Sequence, residues 1–187
     1  ATRNASATGL GFLAKNLPNM IVSSADLSNS DKTDGFLKET KALTRDDFSG
    51  SFLQPGVSEL TMATICIGIA LHGGFHAACG TFFVFSDYMK PAVRIAALME
   101  VPVRFVWTHD AFRVGEDGPT HEPVEQEAQI RLMEKLHNHS GKPSTMVLRP
   151  ADVYETTVSW QMAMENKSTP TALILSRQNV DDLPGNN

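Results

Sequence analysis

The sequence predicts an α/β fold: a doubly wound, mainly parallel six-stranded sheet with helices on both faces. Short apolar runs alternate along the chain with longer segments in which apolar residues recur every three or four positions. A strand-helix-strand order needs right-handed crossovers, which make the strands parallel and cover both faces of the sheet. No repeat or low-complexity stretch divides the 187 residues, so we predict one domain over 1–178 and a linker over 179–187, leading toward an absent C-terminal domain.

The first half of the chain alternates predicted strands and helices around one long connection. In order, we predict a helix over 3–16, a strand at 20–22, a short strand within 52–56, a helix over 58–71, a strand region over 75–85 and a helix over 88–99. Leu60, Ile67 and Leu71 recur at helical spacing, and Gly73-Gly74 ends that helix. This helix is apolar on nearly every side, so we expect it to be deeply buried. Residues 25–49 are polar and predict mostly loop, and so long a connection is typically functional or mobile.

The second half continues the alternation and adds a polar loop. In order, we predict a strand at 103–107, a loop over 108–125, a helix over 125–137, a strand at 145–148, a helix over 151–165 and a strand at 172–175. The loop carries His109, His121, several carboxylates and two glycines. It leaves the C-terminal end of a buried strand, where open α/β sheets bind ligands. Loop histidines are also commonly just solvated, and the residues alone leave that alternative open.

Composition excludes several classes of protein. With 42% hydrophobic and 20% charged residues, the chain is typical of a soluble globular domain. Its net charge of -5 offers no broad cationic surface for nucleic acid or acidic membranes, and no apolar run is long enough to span a bilayer. Cys66 and Cys79 lie in apolar stretches without metal-ligand spacing, so we expect buried free thiols, no metal site and a reducing cytoplasm.

Two groups near strand ends could carry chemistry or could be structural. Glu59 opens a helix directly after a strand, where a carboxylate can serve a site or simply complement the helix dipole. Phe82, Phe85 and Tyr88 surround a strand end and could line a slot or pack in the core. The residues by themselves do not choose between these interpretations.

Arg3 and Arg149 present the same choice. The guanidinium fork fits two phosphate oxygens at once, which makes either arginine a candidate for binding an anion. Arginines on a protein surface more often form salt bridges, and that interpretation stays open as well.

These segments resemble the transketolase family of thiamine-diphosphate enzymes, and in particular its central pyrimidine-binding domain. The strongest match is the loop, where His109-Asp110 is followed by Gly-Glu-Asp-Gly-Pro-Thr-His over 115–121. Gly-Thr-Phe-x-x-Phe-x-x-Tyr over 80–88 matches a second family motif. A third, at 56–59, keeps the family's glutamate although the residues beside it depart from the usual Arg, His and Ala. Shorter matches are Ala-Thr-Arg at 1–3, Ser-Ala-Asp-Leu at 24–27 and Arg-Pro-Ala-Asp at 149–152.

The resemblance implies a thiamine-diphosphate-binding fold and a role for each matched residue. In the family the glutamate matching Glu59 bonds the ring nitrogen of the cofactor's aminopyrimidine and so promotes deprotonation of the cofactor. The rings matching Phe82, Phe85 and Tyr88 enclose the pyrimidine. Asp26 matches an aspartate near the cofactor at the subunit contact. Phe83 falls outside the motif, so we expect it in the core.

The resemblance also implies a sugar-phosphate site. Two histidines would reach substrate hydroxyl or phosphate groups and move protons, an aspartate would contact the hydroxyl that sets sugar stereochemistry, and two arginines with a serine would bind phosphate. By position these substrate-binding residues are His109, His121, Asp117, Arg3, Arg149 and Ser30. His109 and His121 join Glu59 as the expected catalytic residues.

The similarity covers the whole chain but only the middle domain of a transketolase. The Gly-Asp-Gly…Asn motif, through which another domain of the family binds the cofactor's diphosphate with a divalent metal such as Mg or Ca, is not in this sequence. The family's active site lies between that domain of one subunit and the pyrimidine domain of the other. We therefore expect a homodimeric parent enzyme and an isolated chain without activity, either an excised piece or a split subunit.

Three other interpretations stay open. Dihydroxyacetone synthase shares much of the loop motif, whereas deoxyxylulose-phosphate synthase resembles the glutamate segment and the histidine loop less. A non-catalytic dimerisation module is the third, although the intact glutamate, ring motif and histidine loop argue against loss of function. The substrate specificity of the complete enzyme distinguishes the first two from a transketolase.

Overall fold

The computed structural model of the protein describes residues 1–115 and 117–185. Within these ranges six strands form one sheet in the order β2-β1-β3-β4-β6-β5, and every neighbouring pair is parallel. The strands are β1 Met20–Ser24, β2 Phe52–Leu53, β3 His76–Phe82, β4 Arg104–Thr108, β5 Met146–Leu148 and β6 Thr171–Leu175. The predicted parallel six-stranded sheet is confirmed.

Seven α-helices and one 3-10 helix connect these strands in the described ranges. They are α1 Thr2–Asn16, α2 Ser28–Asp31, α3 Asp34–Leu37, α4 Glu59–His72, the 3-10 helix Phe83–Tyr88, α5 Lys90–Leu98, α6 Gln126–Lys135 and α7 Val153–Glu165. One face of the sheet is covered by α1, α3 and α7, and the other by α4, α5 and α6. The doubly wound arrangement follows from this division. None of these helices has the length and apolar character needed to cross a membrane.

The central strands are buried on both faces. Cys79 and Trp107 point into the core under α4 to α6, whereas Ala78 and Val106 point into the core under α1 and α7. Successive side chains of a strand alternate between faces, so a run of consecutive apolar residues marks a strand with no solvent face. Both thiols are buried and free as predicted, and burial raises the pKa of Cys79 well above its usual value.

The connection over 25–49 is more structured than predicted, because it contains α2 and α3. The buried Asp31 carboxylate accepts hydrogen bonds from Ser24 Oγ at 2.6 Å, Thr33 N at 2.9 Å and Thr33 Oγ1 at 2.7 Å. Phe36 then packs against the core beside α1. Local side-chain-to-backbone bonds of this kind organise a polar segment without any hydrophobic periodicity, which is why the pattern predicted loop.

The expectation that the 58–71 helix is deeply buried is wrong. Leu60, Ile65 and Leu71 are 47%, 40% and 53% exposed. The helix lies on one face of the sheet, so only the side that carries Met62 and Cys66 meets the core. An all-round apolar helix with one side uncovered indicates a surface that another protein segment can bury.

Two predicted boundaries also shift. The strand region 75–85 ends at Phe82 and continues as the 3-10 helix, and the helix predicted over 88–99 begins at Lys90 with Pro91 in its first turn. Proline favours the start of a helix because its fixed φ suits that position, where a backbone N–H would have no partner within the helix.

The predicted linker has no helix or strand over 179–185. Asn186 and Asn187 lie outside the described residues. The predicted domain boundary at residue 178 stays a prediction.

Candidate active site

The candidate residues lie where the strands end at the carboxyl edge of the sheet. Phe82 is the last residue of β3, His109 follows β4 and Arg149 follows β5. Asp26 and Ser30 follow β1. Since all strands are parallel, residues separated by many positions in sequence arrive at one edge.

A slot lined by aromatic rings opens at this edge. Phe82 and Phe85 stack with centroids 5.8 Å apart and planes 12° apart, and Phe85 stacks on Tyr88 at 6.1 Å and 27°. The cavity beside them has a volume of about 440 Å³. We call it the ring slot, and its lining residues are Ala25, Leu27, Val57, Glu59, Phe85 and Tyr88.

Glu59 is the carboxylate of the ring slot. As the first residue of α4 it is only 6% exposed, while the neighbouring Val57 is 79% exposed. No donor in the described ranges lies within hydrogen-bond distance of its carboxylate. Its oxygens are not among the buried unpaired polar atoms of the described residues, and the residue lines the open slot. A bound group there could donate a hydrogen bond to Glu59, and the flat walls of the slot fit a planar heteroaromatic ring.

A second, charged cavity lies at the same edge of the sheet. Its volume is about 280 Å³. We call it the charged pocket, and it is lined by Arg3, Ser30, Phe82, His109, Asp117, His121 and Arg177. Phe82 lines the charged pocket rather than the ring slot, and its ring stacks both on Phe85 of the slot and, at 3.7 Å, on the His109 imidazole. His121 meets the edge of Phe85 at 5.4 Å, so the structure brings both imidazoles against the stacked rings of Phe82 and Phe85.

His109 is a neutral imidazole with a defined tautomer. Burial first, and then the charges of Arg3 and Arg177, lower its pKa from 6.5 to about 3. Arg3 Nη1 lies 3.4 Å from His109 Nε2, and arginine can only donate. Nε2 is therefore the acceptor, so Nδ1 carries the proton and donates to Thr108 Oγ1 at 2.9 Å. His109 consequently offers a lone pair to the charged pocket, and adds no positive charge.

The lowered pKa of His109 predicts a pH dependence of stability. Between about pH 6.5 and pH 3 the unfolded chain binds a proton that the folded chain does not, so the free energy of unfolding falls as the pH falls through this window. His109→Gln should reduce the slope by up to about 1.4 kcal/mol per pH unit. Urea unfolding at several pH values measures it, with His72→Gln as an exposed control. Equal slopes for His109→Gln and the unsubstituted chain would contradict the assignment.

The charged pocket carries a net positive charge. Arg3 and Arg177 are its cations, Asp117 is its anion and His109 is neutral. Arg3 Nη1 donates to Ser30 O at 2.7 Å, whereas Arg3 Nε is buried with no hydrogen-bond partner in the described part of the chain. An unpaired buried donor beside an open cavity is satisfied by an incoming anion. The arrangement therefore fits a phosphate or another oxyanion.

Arg149 and Asp26 lie outside both cavities. Arg149 donates to Asp110 Oδ2 through Nη2 at 2.9 Å and through Nε at 3.1 Å, and it also pairs with Glu127. Its guanidinium is thus occupied by two carboxylates. Asp26 is exposed, with a left-handed φ of 63°, between the slot residues Ala25 and Leu27. Their predicted roles as ligands stay predictions.

The sequence interpretation missed Arg177. It lies two residues beyond β6, at the same edge as His109, and its Nε is 3.3 Å from Asp117 Oδ2. The position just after the last predicted strand could have identified it, by the same rule that identified His109. Glu116, part of the predicted loop motif, lies outside the described residues.

The described side chains fit a planar cofactor ring but form no cluster that could hold a metal ion. Among residues 1–115 and 117–185 no group of three His, Cys, Asp or Glu side chains could hold a metal ion. The ring slot, by contrast, combines stacked rings with one buried carboxylate. The residues present fit the pyrimidine half of thiamine diphosphate, and any metal would need ligands from elsewhere.

Comparisons with known proteins agree with this geometry. A family model described as the transketolase pyrimidine-binding domain matches residues 1–182. A transketolase from Halalkalibacterium halodurans is 49% identical over 185 residues, covering 99% of this chain and 26% of that relative. A transketolase structure from Leishmania mexicana matches with a TM-score of 0.91 at 38% identity, covering 99% of this chain and 26% of that one. A split-gene transketolase, solved as an inactive β4 tetramer, has a TM-score of 0.74 at 25% identity, covering 100% of this chain and 55% of that one. The chain spans about a quarter of the length of the curated relatives it matches.

Proposed function

The chain belongs to the transketolase family as a pyrimidine-binding domain, and from this premise we propose that it forms part of a site that transfers a two-carbon ketol unit between sugar phosphates. The observation that carries the proposal is the stacking of Phe82, which lines the charged pocket, on Phe85, which lines the ring slot. One cavity fits a planar cofactor ring beside a buried carboxylate, and the other fits an anionic, hydroxylated substrate.

The ring slot is the proposed cofactor site. When bound, thiamine diphosphate supplies the carbanion and electron-sink chemistry, and the protein supplies binding, orientation and electrostatics. Glu59 would share a proton with a pyrimidine ring nitrogen, which satisfies its otherwise unpartnered carboxylate. Phe82, Phe85 and Tyr88 would hold the ring and exclude water, and Asp26 would lie at its subunit-facing side.

The charged pocket is the proposed substrate site. Arg3 and Ser30 would hold the phosphate, with the unpaired Arg3 Nε as a ready donor. His109 and His121 would bond substrate oxygens and move protons, with His109 acting through its Nε2 lone pair. Asp117 would accept a hydrogen bond from the substrate hydroxyl that distinguishes one sugar from another. Arg149 joins the site only if phosphate displaces Glu127 from its guanidinium, and we keep it as a proposed ligand on that condition.

A second domain is needed to complete this site. Val57 and Tyr88, which line the ring slot, are 79% and 62% exposed, and Leu60, next to Glu59 in sequence, is 47% exposed. We propose that the diphosphate-binding domain, contributed by the other subunit of a homodimer, covers these exposed side chains and supplies the ligands for Mg or Ca. The proposed location is the cytoplasm. The similar split-gene transketolase, an inactive β4 tetramer, accords with a pyrimidine-binding part that needs a partner.

Assays of the complete enzyme and of the isolated chain test the function. The complete enzyme should transfer a ketol unit from xylulose 5-phosphate to ribose 5-phosphate in preference to using formaldehyde as the acceptor or pyruvate as the donor. The pure 187-residue chain should show no turnover, because the proposed diphosphate-binding domain is not part of it and Val57 and Tyr88 of the ring slot are exposed.

Each alternative gives a different outcome. Preference for formaldehyde would indicate a dihydroxyacetone synthase, and preference for pyruvate a deoxyxylulose-phosphate synthase. A complete enzyme without any of these reactions would favour a dimerisation module, and turnover by the isolated chain would refute the need for a second domain.

A further inference from the structure

Asp31, the last residue of α2, is a buried carboxylate that the proposed function does not use. We infer that Asp31 is a positioning residue: it fixes residues 24–33, which we call the α2 segment, and so holds one wall of the ring slot and one wall of the charged pocket in their relative positions. The inference rests on the proposed function. It predicts that one buried carboxylate controls the affinity of the complete enzyme for both the cofactor and the phosphorylated substrate.

The α2 segment contributes to both cavities. Ala25 and Leu27 line the ring slot, and Ser30 lines the charged pocket. Asp26, which we propose lies beside the cofactor, is between the first two and has a left-handed φ of 63°. A shift of the α2 segment would therefore displace parts of both cavities at once.

Hydrogen bonds of Asp31 close the α2 segment on itself. Oδ2 accepts the hydroxyl of Ser24 at 2.6 Å, and Ser24 Oγ accepts the N–H of Leu27 at 3.2 Å. Oδ1 accepts the N–H of Thr33 at 2.9 Å and its hydroxyl at 2.7 Å. Asp31, Ser24 and Thr33 are all buried, so water has little access with which to replace the carboxylate. Buried hydrogen bonds to a charged group are among the stronger polar interactions in proteins, and these join the start, the middle and the end of the segment.

The Asp31 carboxylate also lies directly against β3. A Cβ at Gly80 would be 2.9 Å from Asp31 Oδ2 and 2.6 Å from Thr33 Cγ2, so this close approach depends on a residue without a side chain. Gly80 O accepts the N–H of Ala25 at 3.2 Å. The α2 segment is thus held against the strand that ends two residues later at Phe82. Groups that line a site keep their geometry only when a second layer of contacts holds them, and Asp31 belongs to such a layer.

Two variants of similar size separate the hydrogen bonds of Asp31 from its packing. Asp31→Asn keeps an oxygen for the two Thr33 donors and gains an N–H for Ser24 Oγ, whereas Asp31→Leu keeps only the volume. In the complete enzyme, Asp31→Leu should raise both the Kd of thiamine diphosphate and the KM for ribose 5-phosphate by about tenfold or more. Asp31→Asn should keep both constants within about a factor of three of the unsubstituted enzyme.

These two constants distinguish positioning from stability. A variant that is only less stable contains fewer active molecules, which lowers the apparent kcat and leaves the Kd and KM of the folded molecules unchanged. Calorimetry measures the Kd of the cofactor, and steady-state rates at saturating cofactor give the KM.

Ser24→Ala tests the same connection if the leucine variant does not fold. It removes the hydroxyl between Asp31 and Leu27 N and leaves the carboxylate in place. Both constants should again rise by about tenfold. Where the leucine variant folds, adding Ser24→Ala to it should cause little further change, because the two substitutions break the same connection.

Asp34→Leu is the matched control. Asp34 is also a buried acid of the same connection, three residues further on, and it pairs with the exposed Lys38 at 2.7 Å. It is not among the described residues that line either cavity. Asp34→Leu can lower the free energy of unfolding, but it should leave both constants unchanged.

The possible outcomes are distinct. A rise of both constants in Asp31→Leu or Ser24→Ala, with Asp31→Asn close to the unsubstituted enzyme, supports the positioning role. A rise of only one constant overturns it, as does a loss of active enzyme at unchanged Kd and KM. Equal effects of Asp31→Asn and Asp31→Leu, or the same joint rise in Asp34→Leu, also overturn it. Absence of ketol transfer by the unsubstituted complete enzyme overturns the proposed function, and the inference with it, before any variant is compared.

Discussion

Replacing Glu59 by glutamine in the complete enzyme is expected to lower the rate of ketol transfer by about two to four orders of magnitude. Glutamine has nearly the same size as glutamate, so the packing of α4 should survive. Its amide cannot share a proton with the pyrimidine ring nitrogen as a carboxylate can. Glu59 is only 6% exposed and lines the ring slot. Water therefore has little access with which to replace the carboxylate as the proton-sharing group. Steady-state kcat at saturating thiamine diphosphate, together with cofactor affinity by calorimetry, measures the effect.

A matched substitution at another helix start controls for the charge. Glu155 lies in the first turn of α7 and accepts a hydrogen bond from Ala151 N on the exposed surface. Glu155→Gln removes the same charge from the same kind of position, away from both cavities, and should leave kcat unchanged. If Glu59→Gln keeps both the rate and the cofactor affinity of the unsubstituted enzyme, the carboxylate has no part in the reaction.

Replacing Gly35 by alanine is expected to destabilise the chain by about 1–3 kcal/mol or more. A Cβ at this position would lie 2.2 Å from Ala7 O, where α3 crosses α1. The obstacle is backbone, so a side-chain rotation cannot relieve it and the two helices must separate. Because α1 also carries Arg3 into the charged pocket, the displacement should reach the proposed substrate site. Urea unfolding gives the free energy of unfolding of each variant.

Gly68 provides the control for the alanine substitution itself. It lies in the middle of α4, and nothing is within 4 Å of the position its Cβ would take. Gly68→Ala should stabilise the chain by about 0.5–1 kcal/mol, because alanine loses less conformational freedom in a helix. If both substitutions change the free energy of unfolding by the same amount, the close crossing of α1 and α3 does not destabilise the Gly35→Ala variant.

The fold and the location of the site could be predicted because they depend on patterns that extend along the chain. The unbroken apolar run around Phe105 and Val106 marks a strand buried on both faces. The alternation of such strands with helices fixes which strand ends meet at one edge, and this placed His109 near Phe82. The resemblance then assigned expected roles to residues that composition alone would leave ambiguous.

The remaining features depend on contacts between distant residues, which no local pattern records. The pairing of Arg149 with Asp110 and Glu127 requires the ends of different elements to meet. The buried hydrogen bonds of Asp31 turn a polar segment into an ordered one. The exposed side of α4 could not be predicted, because an apolar helix can be covered by its own chain or by another protein segment and its sequence is the same in both cases. The contact between Arg177 and Asp117 joins residues 60 positions apart, so no local pattern predicts it.

The most direct test of the central claim is a crystal structure of the complete enzyme with thiamine diphosphate bound. The account predicts that the pyrimidine ring occupies the slot beside Phe85 and Tyr88, with a Glu59 oxygen about 2.6–3.2 Å from a ring nitrogen. It also predicts that the charged pocket stays open next to the bound cofactor. A pyrimidine ring bound elsewhere, with Glu59 paired to another protein group, would contradict the account.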